Sequence, residues 1–272
     1  MPQFGETVIE IALAELFPPD CHPFQVNNDA EMGRLVESIR EFGVREPGLA
    51  RKRAEGGYEL LCGNRRKMAC EIIGLPTLPV IVRDLDDDSA VVAMVDSNLQ
   101  QRETILPSEK AWAYKMKMDA LYHSSKRQDK HSHEIITEQT GESRNQIFRL
   151  LRLCELTETL LTKVDTRELA FNPAVELSYL SFVEQTAVVD CMDKYTVKPS
   201  LSQAVRLKKM KQAGTLTLEA IDTVLSEEKK PPHTTPTAGT HYRKFFPPDY
   251  SPKQIEEVII ALLKDWRKKQ SA

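Results

Sequence analysis

The chain has 272 residues, 41% hydrophobic, 28% charged and 7% aromatic, with 37 Lys and Arg against 40 Asp and Glu for a formal charge of −3. That length allows one large domain or two small ones with a real core, and the charge balance excludes a uniformly basic coat while leaving room for a local basic face. No apolar run approaches the ~18 residues that span a bilayer, so no membrane partner is expected, and the start Met1-Pro2-Gln3-Phe4-Gly5-Glu6 lacks the pattern of a signal peptide.

Residues 1 to about 105 mix short strands with helices. Val8-Ile9-Glu10-Ile11, Tyr58 to Cys62 and Pro79-Val80-Ile81-Val82 are compact β-type runs. Met32, Leu35, Val36 and Ile39 fall at helical spacing and predict a helix that stops near Gly43. A second helix runs from about Arg65 to Ile73 and stops at Gly74-Leu75-Pro76. The acidic run Asp84-Leu85-Asp86-Asp87-Asp88 is expected to be a solvated loop after a strand. From Pro107 the chain turns helical, with Ala111, Tyr114, Met118 and Leu121 on one face, a polar connector over 124–130, and helices to about Leu225. A tether over 226–242 follows, and then an amphipathic helix that opens at Ser251-Pro252 and carries Ile255, Val258, Ile259, Leu262, Leu263 and Trp266.

Five cysteines at 21, 62, 70, 154 and 191 form no Cys-x-x-Cys pair, and His131 and His133 have no acidic or thiol partner at ligand spacing. Neither a disulfide framework nor a structural metal is expected, and a reducing cytoplasm is the expected compartment.

Residues 133–153 have the shape of a helix-turn-helix. Gly141 can take the positive φ of a sharp turn, and Ser143 with Gln146 forms a Ser-x-x-Gln capping box for the second helix. Ile147, Leu150, Leu151 and Cys154 line one face of that helix; Arg144, Asn145, Arg149 and Arg152 lie opposite. Arg and Asn can make paired hydrogen bonds to guanine and adenine edges in the major groove. Spacing alone is equally compatible with an ordinary helical hairpin with a solvated basic face.

Leu60 to Cys70 runs from a strand through Gly63 into a helix that begins Asn64-Arg65-Arg66. Backbone N–H groups at a helix N-terminus beside two arginines suit a phosphate, although a capped junction with exposed arginines has the same pattern. No Walker-type Gly-Lys-Ser/Thr occurs, which argues against a P-loop NTPase. The polar cluster Asp96 to Glu103 ends the α/β part, facing the same pocket or forming a charged elbow.

Taken in order, these segments resemble the ParB family of partition proteins. Gly63-Asn64-Arg65-Arg66-Lys67-Met68-Ala69 is similar to its Gly-Glu-Arg-Arg-x-x-Ala box, Asn98-Leu99-Gln100-Gln101-Arg102-Glu103 to its Glu-Asn-x-Gln-Arg-Glu box, and Ser143 to Leu153 to its recognition helix. Ser38 to Val44 and Leu106 to Ala111 resemble two further boxes, and the likeness runs from about Leu16 to Leu180. The resemblance implies an α+β chain, with a mixed α/β ParB/sulfiredoxin-like domain over 1–106 and an all-α helix-turn-helix domain over 107–225. Beyond these, the tether over 226–242 leads to a C-terminal segment over 243–272 whose apolar stripe is expected to pair with a second copy, the alternative being that it folds back onto its own chain. The resemblance implies a bacterial, cytoplasmic homodimer, associated with nucleoid or plasmid, that recognises a centromere-like site in double-stranded DNA, binds CTP with Mg²⁺ to close as a clamp, and works with a ParA-type ATPase. Gly63, Asn64, Arg65, Arg66, Ala69, Asn98, Gln100 and Arg102 would hold the nucleotide; Ser143, Arg144, Asn145, Gln146, Arg149 and Arg152 would meet DNA.

Three departures qualify that transfer. Pro23-Phe24-Gln25-Val26-Asn27 stands where the family has Pro-x-Gln-x-Arg, so one triphosphate arginine is missing. The hydrolytic Glu of the second box falls on Ser97 or Asn98, with Asp96 one residue away, so turnover is expected to be slow or absent. The basic, glycine-containing tail that engages the ParA partner is not evident. Competing readings are a ParB-fold transcription regulator without a segregation role, a ParB-like nuclease using the Asp84–Asp88 run, and a sulfiredoxin-type redox enzyme. The last is disfavoured because Cys62 precedes the glycine instead of following it.

Overall fold

The computed structural model describes residues 6–24, 26, 28–102, 105–125, 132–227, 245–247 and 249–270. Gln25, Asn27, His131 and most of the tether expected over 226–242 lie outside the described residues, as does the His133 side chain. The chain divides into two units, residues 1–226 and 227–272.

The first unit opens on a mixed sheet of strands β1 (Val8–Ala12), β2 (Leu16–Phe17), β3 (Gly48–Lys52), β4 (Tyr58–Cys62) and β5 (Thr77–Val82), in the spatial order β1-β5-β3-β4-β2. β1 pairs antiparallel with β5 (Val8 opposite Ile81), β3 parallel with β5 and antiparallel with β4, and the short β2 parallel with β4. Alternation along β4 decides what each face receives, because successive side chains of a strand point to opposite sides. Leu60 enters a core with Met32, Val36 and Ile39 of helix α1 (Ala30–Phe42) and Ala69 and Cys70 of α2 (Asn64–Ile73). Leu61 enters the opposite layer with Phe24 and with Ala90, Met94 and Val95 of α3 (Asp87–Gln101). Asp29 caps α1 by accepting the Met32 N–H at 2.8 Å, and Gly43 ends that helix at φ 70°.

Helix α3 overturns one expectation. The acidic run begins this helix: Asp86 is its N-cap, accepting the Ser89 N–H at 2.7 Å. Asp87 pairs with Arg51 at 2.7 Å, and Asp88 lies 3.5 Å from His123. Carboxylates in a first helical turn face the positive end of the peptide dipoles, so the run that reads as loop is a start signal.

Helix α4 (Pro107–Ser125) belongs to both layers of the unit. Ala113 packs with α3, whereas Ala111 and Tyr114 enter the core of the helical region. That region comprises α5 (Ser132–Thr140), α6 (Arg144–Leu153), α7 (Glu158–Asp165), α8 (Phe171–Leu177), α9 (Phe182–Tyr195), α10 (Leu201–Gln212) and α11 (Leu218–Ser226). Polar ties reinforce the shared helix. Ser108 donates from its N–H and its hydroxyl to the Asp165 carboxylate at the end of α7, at 3.0 and 2.5 Å. The Lys117 side chain has no exposed surface, and its ammonium meets Asp96 of α3 and Gln139 of α5. Lys110 pairs with Glu142 in the turn before α6.

In the second unit, helix α12 (Pro252–Gln270) starts with Ser251 accepting the Gln254 N–H at 3.4 Å while the Gln254 side chain accepts the Ser251 N–H at 2.8 Å. Val258, Leu262, Leu263 and Trp266 on this helix are exposed, by 37% to 64%. Among the described residues no helix is long and apolar enough to cross a membrane.

Candidate functional site

Gly63 leaves β4 at φ 109°, a conformation that L side chains rarely adopt. A Cβ there would also stand 3.2 Å from the Gly48 Cα, so a side chain would be both strained and tightly packed against β3. The glycine provides no side-chain cap to α2, whose first intrahelical bond is Lys67 N–H to Gly63 O at 2.9 Å. The N–H groups of Asn64, Arg65 and Arg66 therefore have no intrahelical acceptor at the positive end of the helix.

These groups open onto a pocket of ≈ 390 Å³ whose wall includes Glu31, Arg34, Glu46, Gly63, Asn64, Arg65, Arg66, Asn98, Gln101 and Arg102. Four guanidinium groups against two carboxylates give it a positive lining. Arg65 is loosely paired, 3.5 Å from both Asp29 and Glu31. Arg66 is held more firmly: it donates to the Pro47 carbonyl at 2.8 Å, to the Glu46 carbonyl, and to Gln101 Oε1 at 3.3 Å. Arg102 stacks over Phe24 at 5.0 Å and lies 3.5 Å from the buried Glu109 carboxylate. Asn64 donates to the Leu60 carbonyl at 3.2 Å and sits 3.3 Å from His22 Nε2. Burial lowers the His22 pKa, and the neutral ring that results can donate from Nδ1 to the Phe24 carbonyl at 2.7 Å and accept from Asn64 at Nε2.

Of the residues expected here, Gly63, Asn64, Arg65, Arg66, Asn98 and Arg102 come together; Ala69 and Gln100 do not. Ala69 is fully buried in the core beneath α2. Gln101 takes the place expected of Gln100, because one residue along a helix rotates the side chain by about 100°. Gln100 lines two neighbouring clefts, one shared with Ser97 and Arg83 and one with Asp96, Tyr114 and Glu142. Arg34, which the sequence did not single out, arrives from α1, and no pairing partner for it occurs among the described residues. Burial raises the Cys62 thiol's pKa, so this cysteine is a wall and no thiolate.

The second candidate surface is α6. Gly141 turns the chain at φ 71°, and Ser143 caps α6 by accepting the Gln146 N–H at 3.2 Å; the expected return bond from the Gln146 side chain does not form. Ile147, Leu150 and Leu153 are buried, with Leu151 and Cys154 only partly so. Arg144 and Asn145 are exposed at the helix start. Farther along, Arg149 donates to Asn172 and stacks over Phe171 at 5.3 Å. Arg152 donates to the carbonyl and hydroxyl of Ser178 and lies 4.1 Å from the Tyr179 ring centroid. Both were expected on a free face; both instead dock α8 and the residues just after it.

Residues 3–99 match the ParB N-terminal domain family. The chain is 30% identical over 177 residues (65% of this chain, 54% of the relative) to a probable chromosome-partitioning protein ParB of Xylella fastidiosa. Residues 3–99 thus carry a ParB N-terminal domain. A nucleoid occlusion protein of Listeria innocua is 29% identical over 180 residues, covering 66% of this chain and 60% of that protein. The chain thus spans between half and two thirds of the length of these curated ParB-type relatives. The solved structure of C-terminally truncated ParB from Caulobacter crescentus complexed to the centromeric parS site shares 21% identity, covering 80% of this chain and 98% of that one at a TM-score of 0.45.

Proposed function

We propose that this chain is a sequence-specific DNA-binding partition protein that recognises a centromere-like site, with CTP in the pocket at Gly63 gating its closure on DNA. The observation that carries the reading is the capped helix α6, with Arg144 and Asn145 exposed at its start, standing in one compact unit with a guanidinium-lined pocket. Selection of bound duplexes from random DNA by the full chain, with and without each nucleoside triphosphate, tests it. Enrichment of one palindromic sequence whose retention depends on CTP is the expected result, and no enrichment overturns it.

The pocket fits a triphosphate by charge and size: its lining is positive, and its volume lies in the range of about 300–1,000 Å³ usual for ligand sites. Arg65 and the free N–H groups of α2 would hold phosphate oxygens, with Arg34 and Arg102 alongside, and bound phosphates would bring Mg²⁺ with them. Titration calorimetry should give CTP binding with magnesium that Arg65→Ala weakens at least about ten-fold, the scale of a charge-assisted bond. Arg66→Ala should lower thermal stability as well, because that side chain also ties down the 46–47 loop. No heat with any of the four triphosphates, in the presence of the selected DNA, would remove the nucleotide claim. Turnover is expected to be slow or absent, since Asp96 is occupied by Lys117 and Ser97 faces the neighbouring cleft.

At the DNA, Arg144→Ala and Asn145→Ala should each cost about 1–3 kcal/mol in specific binding and leave random-sequence affinity nearly unchanged. Equal losses on both, in a fluorescence titration, would place these side chains on phosphate instead. A homodimer formed through α12 and a ParA-type ATPase partner complete the reading, inside a bacterial cytoplasm and on the nucleoid or a plasmid. The Listeria relative supports a second reading, a site-specific regulator of the same architecture without a segregation role. Loss of segregation on deletion of the gene separates the two.

A further inference from the structure

We propose that Arg34 sets the pocket's preference for a triphosphate over a monophosphate, as the guanidinium that breaks no existing contact when phosphate arrives. The inference rests on the nucleotide reading above and deepens it from the presence of phosphate to the number of phosphates. Arg34 is exposed on α1 and lines the same pocket as the start of α2. Its place on that wall is fixed, because Met32, Val36 and Ile39 of the same helix are buried in the core with Leu60 and Val80.

The other three guanidiniums of the lining are engaged. Arg65 lies 3.5 Å from both Asp29 and Glu31. Arg66 is tied to the carbonyls of Glu46 and Pro47 and to Gln101, and Arg102 is shared between Glu109 and the Phe24 ring. A phosphate that reaches any of these must displace or share an existing contact, so it gains only the difference between two interactions. Arg34 has nothing to exchange. Glu31, three residues before it on α1, is within 3.5 Å of Arg65, and Arg34 has no partner among the described residues. A phosphate oxygen there gains the whole of a charge-assisted bond, which a planar guanidinium can make in bidentate form.

The number of phosphates follows from charge. The N–H groups that open α2, with Arg65 beside them, suit a single phosphate group of about two negative charges. A triphosphate brings more charge than that, and the cation ready to meet the excess is Arg34, which comes from a separate helix.

Calorimetric titration of the full chain with CTP, CDP, CMP and inorganic tripolyphosphate, each with magnesium, tests the inference. Wild-type affinity should rise from CMP to CTP. Arg34→Ala should weaken CTP and tripolyphosphate at least about ten-fold, the scale of one charge-assisted bond, and leave CMP within about two-fold. Arg34→Lys, which keeps the charge without the planar fork, should recover part of the loss. The ligand-free melting temperature of Arg34→Ala should match that of the wild type, which separates a lost phosphate contact from a damaged fold. An Arg34→Ala chain that keeps the wild-type rise from CMP to CTP overturns the inference and leaves the nucleotide reading standing; a wild type that binds CMP as tightly as CTP does the same. A wild type that takes tripolyphosphate but no nucleotide removes the CTP reading, and the response of Arg34→Ala to tripolyphosphate then decides the inference by itself. A wild type that binds none of the four removes both.

Discussion

Removal of residues 243–272 should turn a dimer into a monomer and weaken binding to a palindromic site roughly 100-fold, with half-site binding little changed. The stripe of α12 is the reason. Leu262, Leu263 and Trp266 are each more than half exposed, and an isolated helix of this kind is marginal in water. A two-fold pair lets one stripe cover its copy, and tethering two reading heads makes the second contact intramolecular. Lys264, Arg267, Lys268 and Lys269 suit the negative end of the same helix and add non-specific attraction to DNA. Light scattering that returns the same mass per particle before and after the deletion would sink the pairing.

Asp96→Ala should destabilise the first unit by about 3 kcal/mol, because it leaves the fully buried Lys117 ammonium with only the neutral Gln139 as partner. For a unit of this size the melting temperature should fall by roughly 6–12 °C. Lys117→Met should cost less. It removes the charge that cannot reach water and leaves Asp96, whose side chain is 28% exposed, free to hydrate. Calorimetry on the two variants decides the matter, and Lys117→Met proving the more damaging would show that packing of the lysine stem outweighs its charge.

The turn at Gly63 was legible because one residue signals two things: a break after a β-type run, and a helix start flanked by arginines. The helix-turn-helix was legible for the same kind of reason, with Gly141, Ser143 and the Ile147, Leu150, Leu151, Cys154 spacing agreeing on one geometry, although Leu153 is buried where Leu151 and Cys154 are only partly so. Helix α3 was hidden. It is covered by the sheet on one side and α4 on another, so Ala90 to Val95 are apolar without a break and hide the helical period, and its acidic start imitates a loop. Gln100 was expected in the pocket from the likeness to the family box, in which the place of the extra glutamine is ambiguous, and Gln101 lines the pocket instead. Arg34 approaches from an element about thirty residues upstream, and nothing local distinguishes it from other surface arginines. The roles of Arg149 and Arg152 depend on where α8 lands, a matter of tertiary packing that residue type does not encode.

Under the proposed DNA reading, docking Arg149 and Arg152 against α8 divides α6 by mutational freedom. Arg144 and Asn145 are exposed at the start of α6 and make no bond to another helix among the described residues, so substitutions there can retune the proposed site while the fold stays intact. Exchanges at 149 and 152 release Asn172 and Ser178 from their partners and loosen the helix behind. A lineage following a drifting target sequence therefore has an inexpensive alphabet at the head of α6 and a costly one at its tail, and paralogues with different sites should differ first at the head.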